Sequence, residues 1–183
     1  MRKYIATPQA EVIGSAMQNL FVSINRDEFL PLVEQTFTDY GVDYIKDKAW
    51  YPHQLTLDIF KLIEHKKLNS MYNLVSLGMA YVETAKFPPE INSVYSALTA
   101  LGQTYNLNIR NIANGEGYQV KRLSDNHIQI IDQNPFPHDT VYGFIWGIAK
   151  RFNTDPNRLP SITRTFLNPD DPNSDGAIYD VKL

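Results

Sequence analysis

The apolar segment VYGFIWGIAKRF, residues 141–152, constrains the fold more than any other part of this sequence. Its hydrophobic residues recur at helical spacing and cover most of the helix surface, which predicts a helix in the centre of the fold, between a sheet and other helices. Gly143 and Gly147 stand four residues apart in it, although each glycine lowers helix propensity by about 1 kcal/mol relative to alanine. We therefore predict that these two glycines allow another backbone to pack closely against the helix.

The period of the hydrophobic pattern changes after residue 105. Before that point the spacing predicts five amphipathic helices, over residues 8–21, 26–41, 53–67, 69–85 and 88–105. After it, apolar residues alternate at period two, which predicts strands over 107–112, 117–123 and 127–132, with residues 124–126 as a hairpin turn. The pattern of residues 159–167 and of residues 176–183 predicts a second pair of strands.

This order of elements predicts an α+β fold, in which N-terminal helices pack on a small antiparallel sheet and one central helix lies between two strand hairpins. We predict a single domain over residues 1–183. Residues 1–105 are its mainly helical part, and residues 106–183 form hairpin, helix and hairpin.

Charge and composition exclude several classes of function. The 183 residues include 17 basic and 20 acidic side chains, a net charge of −3, which is not the charge of a nucleic-acid-binding or anionic-membrane-binding protein. No window of 18 consecutive apolar residues is present, so we predict no membrane span. Without cysteine the chain has no disulfide, no thiolate metal site and no cysteine nucleophile. We predict a cytoplasmic location.

The sequence contains no recognisable catalytic motif, and we do not predict an enzyme. The four histidines, His53, His65, His127 and His138, are scattered without the spacing of a metal site, so we predict structural or surface roles for them and no bound metal.

Three segments resemble one superfamily, which contains 4-vinyl-reductase-type domains, haem–nitric-oxide-binding domains and transport-protein-particle subunits. The helix VYGFIWGIAKRF is similar to the helix that these proteins share. The tail, residues 162–183, resembles the closing hairpin of the 4-vinyl-reductase type, and residues 74–95 resemble the helical middle of the superfamily.

The haem-binding branch implies specific residues. There, the helix before the sheet supplies an axial histidine, and a Tyr-x-Ser-x-Arg motif holds the haem propionates. The corresponding positions in this sequence are Tyr95 for the histidine and, counted back from the central helix, Ile130, Asp132 and Asn134 for the motif. None of the four signature residues is present, so we predict a haem-free member without a cofactor.

We predict a non-enzymatic sensory or regulatory domain that binds a small apolar ligand in a pocket between the helices and the sheet. Tyr95, Tyr142 and Trp146 are the predicted pocket residues, with Trp50 and Tyr51 at the rim; an ordinary core position is the alternative for Tyr95. Two other functions stay open. One is a ligand-free module for homodimerisation or for docking a signalling partner, and the other is a haem-binding gas sensor or an enzyme acting on a tetrapyrrole.

Overall fold

The computed structural model describes residues 2–22, 26–65, 74–155 and 157–183. These residues form six helices: α1 (Gly14–Val22), α2 (Arg26–Asp39), α3 (His53–His65), α4 (Leu74–Thr84), α5 (Val94–Asn108) and α6 (His138–Arg151). They also form seven strands: β1 (Glu11–Ile13), β2 (Trp50–Pro52), β3 (Ile109–Arg110), β4 (Gly117–Ser124), β5 (His127–Gln133), β6 (Ser161–Phe166) and β7 (Ala177–Lys182). The predicted α+β class is confirmed.

The larger sheet is antiparallel and has the strand order β4-β5-β7-β6. The first hairpin, β4–β5, precedes α6 in the chain, and the second hairpin, β6–β7, follows it, as the sequence predicts. In β5 and β7 buried and half-buried residues alternate, because one face of each strand packs under α6. The helix is thus enclosed by the sheet on one side and by α4 on the other.

A second sheet, with the order β2-β1-β3, was not predicted from the sequence. Val12 in β1 pairs with Tyr51 in β2 and with Ile109 in β3. The predicted first helix therefore begins only at Gly14, and the predicted strand over 107–112 is reduced to β3, since α5 continues to Asn108. Strands of two or three residues are too short to produce a periodic signal, and their partners lie far away in the chain.

The fifth helix begins later than predicted. Residues 88–93 stay outside it, and Ser93 caps α5 by accepting a hydrogen bond from the backbone N–H of Ser96, whose hydroxyl in turn accepts one from Ser93. This reciprocal cap satisfies N–H groups at the start of α5. A helix that began at Pro88, as predicted, would leave such groups unpaired. The first part of the predicted fourth helix, residues 69–73, lies outside the described residues.

Helices α4 and α6 come together backbone to backbone. A Cβ atom built on Gly143 would collide with the carbonyl oxygen of Val75, and one built on Gly78 would collide with the carbonyl oxygen of Thr140. At Gly147 the added atom would lie 3.0 Å from the Cβ of Val82. Glycine at these positions therefore removes the side-chain atoms that would hold the two helices apart.

We expect Gly143→Ala to lower the free energy of unfolding by about 1–3 kcal/mol or more, since its methyl group meets fixed backbone and α4 must move away. Gly147→Leu is expected to destabilise for the same reason. Urea melts of both variants measure the effect, with Lys150→Ala on the exposed face of α6 as the control, expected within about 0.5 kcal/mol of wild type. An unchanged or raised midpoint for Gly143→Ala would contradict the packing argument.

A buried ion pair joins the N-terminal segment to the end of β5. Lys3 Nζ lies 2.8 Å from Asp132 Oδ2, and neither side chain is exposed to solvent. The same ammonium donates to the carbonyl oxygen of Asn134 at 2.8 Å, and the other Asp132 oxygen accepts from the backbone and side-chain amides of Asn134. Burial lowers the pKa of Lys3 from its ordinary value of 10.5, although the charge of Asp132 opposes this shift.

We expect Lys3→Met to destabilise the protein by about 3–5 kcal/mol, because it leaves the Asp132 carboxylate buried without its cation. The neighbouring Arg2 forms an exposed ion pair with Asp171 at 3.3 Å, so Arg2→Met is a matched control with an expected cost below about 1 kcal/mol. Thermal and urea unfolding of the two variants measure how much stability each one loses. Equal stability of both would show that the buried pair contributes no more than a surface pair.

Candidate functional site

An apolar cavity of about 80 Å³ lies where α1, α3 and α5 meet the start of β4. The wall residues from helices follow helical spacing, so that each helix presents one face: Ala16, Met17 and Leu20 from α1, Thr56 and Phe60 from α3, and Leu101, Thr104, Tyr105 and Asn108 from α5. The remaining wall residues are Val12, Tyr81, Ile109, Tyr118, Phe136 and Phe144. No charged side chain belongs to this wall, as far as the described residues show.

The Phe136 ring is the centre of the aromatic part of the wall. It meets four other rings edge to face, those of His53 at 5.3 Å, Phe60 at 5.7 Å, Tyr105 at 5.9 Å and Phe144 at 6.4 Å between centroids. Edge-to-face contacts of this kind stabilise by about 0.5–1.5 kcal/mol each beyond the area they bury. Phe136 therefore links α3, α5 and α6 at one end of the cavity.

The position of Phe136 depends on the buried ion pair. Its backbone N–H donates to Asn134 Oδ1 at 2.9 Å, and the Asn134 amide donates in turn to Asp132, the partner of Lys3. The backbone N–H of Tyr4 donates to the carbonyl oxygen of Pro135 at 2.8 Å. The N-terminal segment thus fixes the loop that carries the ring.

The tyrosines of the wall are held neutral. Tyr105 donates from its hydroxyl to Glu116 Oε1 at 2.6 Å, and burial followed by the charge of Glu116 raises its pKa well above the ordinary value. Burial also raises the pKa of Tyr118 and of Tyr81. A phenolate, the form in which tyrosine ligates metals, is therefore disfavoured at all three positions.

The buried imidazole of His53 is also neutral at pH 7. Its ring is completely buried at the start of α3, and neither ring nitrogen makes a hydrogen bond within the described structure. Burial lowers its pKa to about 4, so the imidazole is neutral at pH 7 and one nitrogen keeps a free lone pair. The hydroxyl of Thr56, one helical turn along on the cavity wall, also lacks a hydrogen-bond partner in the described structure.

His53 was expected to be an ordinary structural or surface histidine, with no role at a site. One feature of the sequence indicates that His53 lies near the cavity. It is the first residue of the segment HQLTLDIF, in which it shares a helix face with Thr56 and Phe60. Spacing alone does not distinguish a histidine with a hydrogen-bond partner from one without.

The low pKa of His53 predicts a specific loss of stability in acid. Between about pH 6.5 and pH 4 the unfolded chain binds a proton at this histidine and the folded chain does not, so the free energy of unfolding falls as the pH falls through this window. The full loss is about 3 kcal/mol. Urea melts from pH 7.5 to pH 4 should therefore show a smaller acid loss in His53→Phe than in wild type.

His65 lies exposed at the end of the same helix, so His65→Phe is the control and should keep the wild-type pH dependence. If His53→Phe and wild type lose stability in parallel, then folding does not lower the pKa of His53.

The five pocket residues predicted from the sequence lie elsewhere. Tyr95, in the first turn of α5, is half-buried beside an outer groove, with the Arg122 guanidinium 5.5 Å from its ring centroid. Tyr142 lies on α6 with Arg164 5.9 Å from its ring, and Trp146 is half-buried on the same helix. None of these three belongs to the cavity wall.

The two predicted rim residues lie in the smaller sheet. Arg110 stacks over Trp50 at 4.3 Å, and the Tyr51 hydroxyl accepts a hydrogen bond from the backbone N–H of Lys46 at 2.8 Å. Neither residue belongs to the cavity wall. The structure therefore does not bring the five predicted residues together, and a ligand role for any of them stays a prediction.

The three positions that the haem motif was expected to occupy are engaged in the fold. Ile130 is fully buried in the core between α6 and the sheet, while Asp132 and Asn134 belong to the buried network around Lys3.

No helix among the described residues has both the length and the apolar character needed to cross a membrane. No family model matches the sequence, and no curated protein matches it significantly.

Solved structures do share the fold. The H-NOX protein from K. algicida, in a mutant with unliganded Fe(II), is 12% identical and matches 93% of this chain and 95% of its own, with a TM-score of 0.65. The H-NOX protein from S. oneidensis, in the Fe(II)NO state, is 10% identical and matches 93% and 98%, with a TM-score of 0.63. The H-NOX protein from Shewanella woodyi, in the Fe(II)CO state, is 22% identical and matches 92% and 93%, with a TM-score of 0.56.

These structures correct one prediction. The chain shares its fold with H-NOX domains, one branch of the superfamily that the sequence resembles. The prediction that the domain carries no cofactor is wrong, since the structural neighbours are haem-binding domains. That prediction was based on the absence of the four signature residues.

Proposed function

We propose that this protein is a sensory domain that binds its ligand in the apolar cavity between α1, α3 and α5, and that haem is the group received there. The cavity carries the proposal, because it lies in a fold that matches haem-binding H-NOX domains over 93% of the chain. Two of the neighbours were solved with NO or CO on Fe(II), which supports a small gas as the signal.

The chemistry of the cavity suits a porphyrin in two respects. Its wall is largely apolar, as expected for the faces of a macrocycle. Next to the wall stands the neutral, unpartnered imidazole of His53, and histidine is a common protein ligand of haem iron. When bound, the iron would supply a coordination position for a diatomic gas.

The size of the cavity sets a condition on this function. Its volume of about 80 Å³ is well below the roughly 300–1,000 Å³ of pockets that enclose small organic ligands. Binding of a porphyrin therefore requires side chains of the wall to move. Phe136 is the first candidate, because its ring is half-buried and belongs to a loop, whereas Phe60 and Phe144 are buried on helices.

We expect the purified protein to retain about one haem per chain after hemin titration and gel filtration, with a Soret band distinct from that of free hemin. Ala16→Leu adds bulk to the cavity wall, and an overpacking cost of about 1–3 kcal/mol predicts roughly tenfold weaker uptake. Thr99→Leu on the exposed face of α5 is the control and should bind as wild type.

Two results would contradict the proposal. One is a wild-type protein that leaves the column without a Soret band, and the other is equal hemin affinity of wild type and a folded Ala16→Leu variant.

A further inference from the structure

We propose that the free edge of β6 binds a second copy of this chain. Two β6 strands then pair antiparallel about a two-fold axis at Thr163, and two four-stranded sheets join into one continuous sheet. This inference goes beyond the proposed function, because the contact lies at the edge of the larger sheet and needs no ligand. The described cavity wall includes no residue of β6.

The first observation is a row of unpaired backbone groups along β6. This strand is the last in the order β4-β5-β7-β6 and pairs only with β7 among the described residues. Leu167, directly after β6, donates its backbone N–H to the carbonyl oxygen of Gly176 at 3.0 Å, so Leu167 belongs to a hydrogen-bonded pair of the ladder. Such pairs alternate along antiparallel strands, and therefore Ile162, Arg164 and Phe166 direct their N–H and C=O groups away from β7.

The second observation is the difference between the two edges of this sheet. Natural sheets protect an exposed edge with charged side chains, bulges or a covering element. Strand β4 has all three. It carries Lys121, and its register shifts between Arg122 and Ser124. Helix α5 packs on it so closely that a Cβ atom on Gly102 would lie 3.0 Å from the carbonyl oxygen of Tyr118. Strand β6, SITRTF, pairs with β7 without a register shift and contains no lysine, proline or glycine, so this edge is open to pairing.

The third observation is that β6 is complementary to itself in one register. An axis at Arg164 places two arginines directly opposite each other, which is destabilising. An axis at Ile162 places Pro160, which has no N–H, opposite Arg164. An axis at Thr163 avoids both arrangements. It sets Ile162 of each copy opposite Arg164 of the other, so that the outward N–H and C=O groups of the two strands meet.

The same register brings exposed leucines together. Leu159 precedes β6 with 77% of its surface exposed, and Leu167 follows β6 with 44% exposed. With the axis at Thr163, Leu159 of each copy lies opposite Leu167 of the other at the two ends of the strand pair. Pairing therefore removes from water apolar surface that the single chain leaves exposed.

A stripe of α6 beside β6 extends the contact surface. Asp139, Tyr142 and Trp146 lie at positions i, i+3 and i+7 of α6 and are not buried, unlike most of this helix. Arg164 joins the stripe to β6, because its guanidinium donates to Asp139 Oδ1 at 2.8 Å and lies 5.9 Å from the centre of the Tyr142 ring.

The size of a stable interface gives this stripe its role. A specific interface buries about 800 Å² per partner, which requires contacts beyond one strand pair. Tyrosine, tryptophan and arginine are enriched in such contacts. The two-fold axis places the α6 stripes of both copies on the same side of the joined sheet, where they flank the paired strands.

The test uses the full chain without hemin, the variants Thr163→Lys and Thr163→Glu, and the control Gln119→Lys at an exposed position of β4. Circular dichroism and thermal melts first establish that each variant is folded. Analytical ultracentrifugation over a range of protein concentrations then measures the dissociation constant of the dimer.

We expect wild type to form a dimer of twice the 21.0 kDa mass of one chain. Thr163→Lys and Thr163→Glu each place two like charges at the axis, and each should raise the dissociation constant about tenfold or more. An equimolar mixture of the two variants sets opposite charges there and should recover the dimer, while Gln119→Lys should match wild type. A monomeric wild type, equal dimerisation of wild type and both charged variants, or a mixture that does not recover would overturn the inference.

The register has its own test, because the chain contains no cysteine. Directly opposed residues of a non-hydrogen-bonded pair have Cα atoms about 4.5 Å apart, within the range that a disulfide spans. With oxidised glutathione, Thr163→Cys should therefore form a disulfide between two copies, whereas Thr165→Cys, which lies opposite Ser161, should not. No cross-link in Thr163→Cys, or equal cross-linking of both variants, would show that the strands do not pair about Thr163.

Discussion

The ion pair between Lys3 and Asp132 determines how the N-terminal segment packs against the larger sheet. Both charges are withdrawn from water, so each must stay paired, and the pairing draws the N-terminal segment against the end of β5. Asn134 extends the same network to the backbone of Phe136. The ion pair on one side of the loop thus fixes the position of the Phe136 ring on the other side, where the cavity lies.

A second constraint is the contact of α4 with α6. Gly78 and Gly143 bring the two backbones together. Helix α6 packs in the hydrophobic cluster around the sheet, and α4 connects this cluster, through Val82, to the cluster around α1 and α3, through Leu74 and Leu77. Phe144 leaves α6 toward the cavity, while Ile145 and Ile148 pack in the cluster under the sheet. The cavity therefore lies at the boundary between the two clusters, and its wall combines aromatic rings with aliphatic side chains.

The parts of the fold that follow from the sequence are those with a long periodic signal. The central helix, both hairpins and most helices were predicted, because the apolar pattern repeats along six or more residues of each element. The β1–β3 sheet was missed, since three residues around Val12 carry no period and their partners are distant in the chain. The residues of the cavity wall were harder to predict than the fold. Tyr95 and Tyr105 lie on the same helix, and only tertiary packing decides that Tyr105 reaches the cavity while Tyr95 lies beneath Arg122.

We expect a ligand of porphyrin size to enter the cavity between α1, α3 and α5 by displacing the Phe136 ring. A crystal structure of the hemin-loaded protein measures this most directly. We predict a macrocycle between α1 and α5, with the Phe136 ring turned away from α3. A macrocycle bound on the outer surface, with the Phe136 ring still packed edge-on against His53, would contradict it.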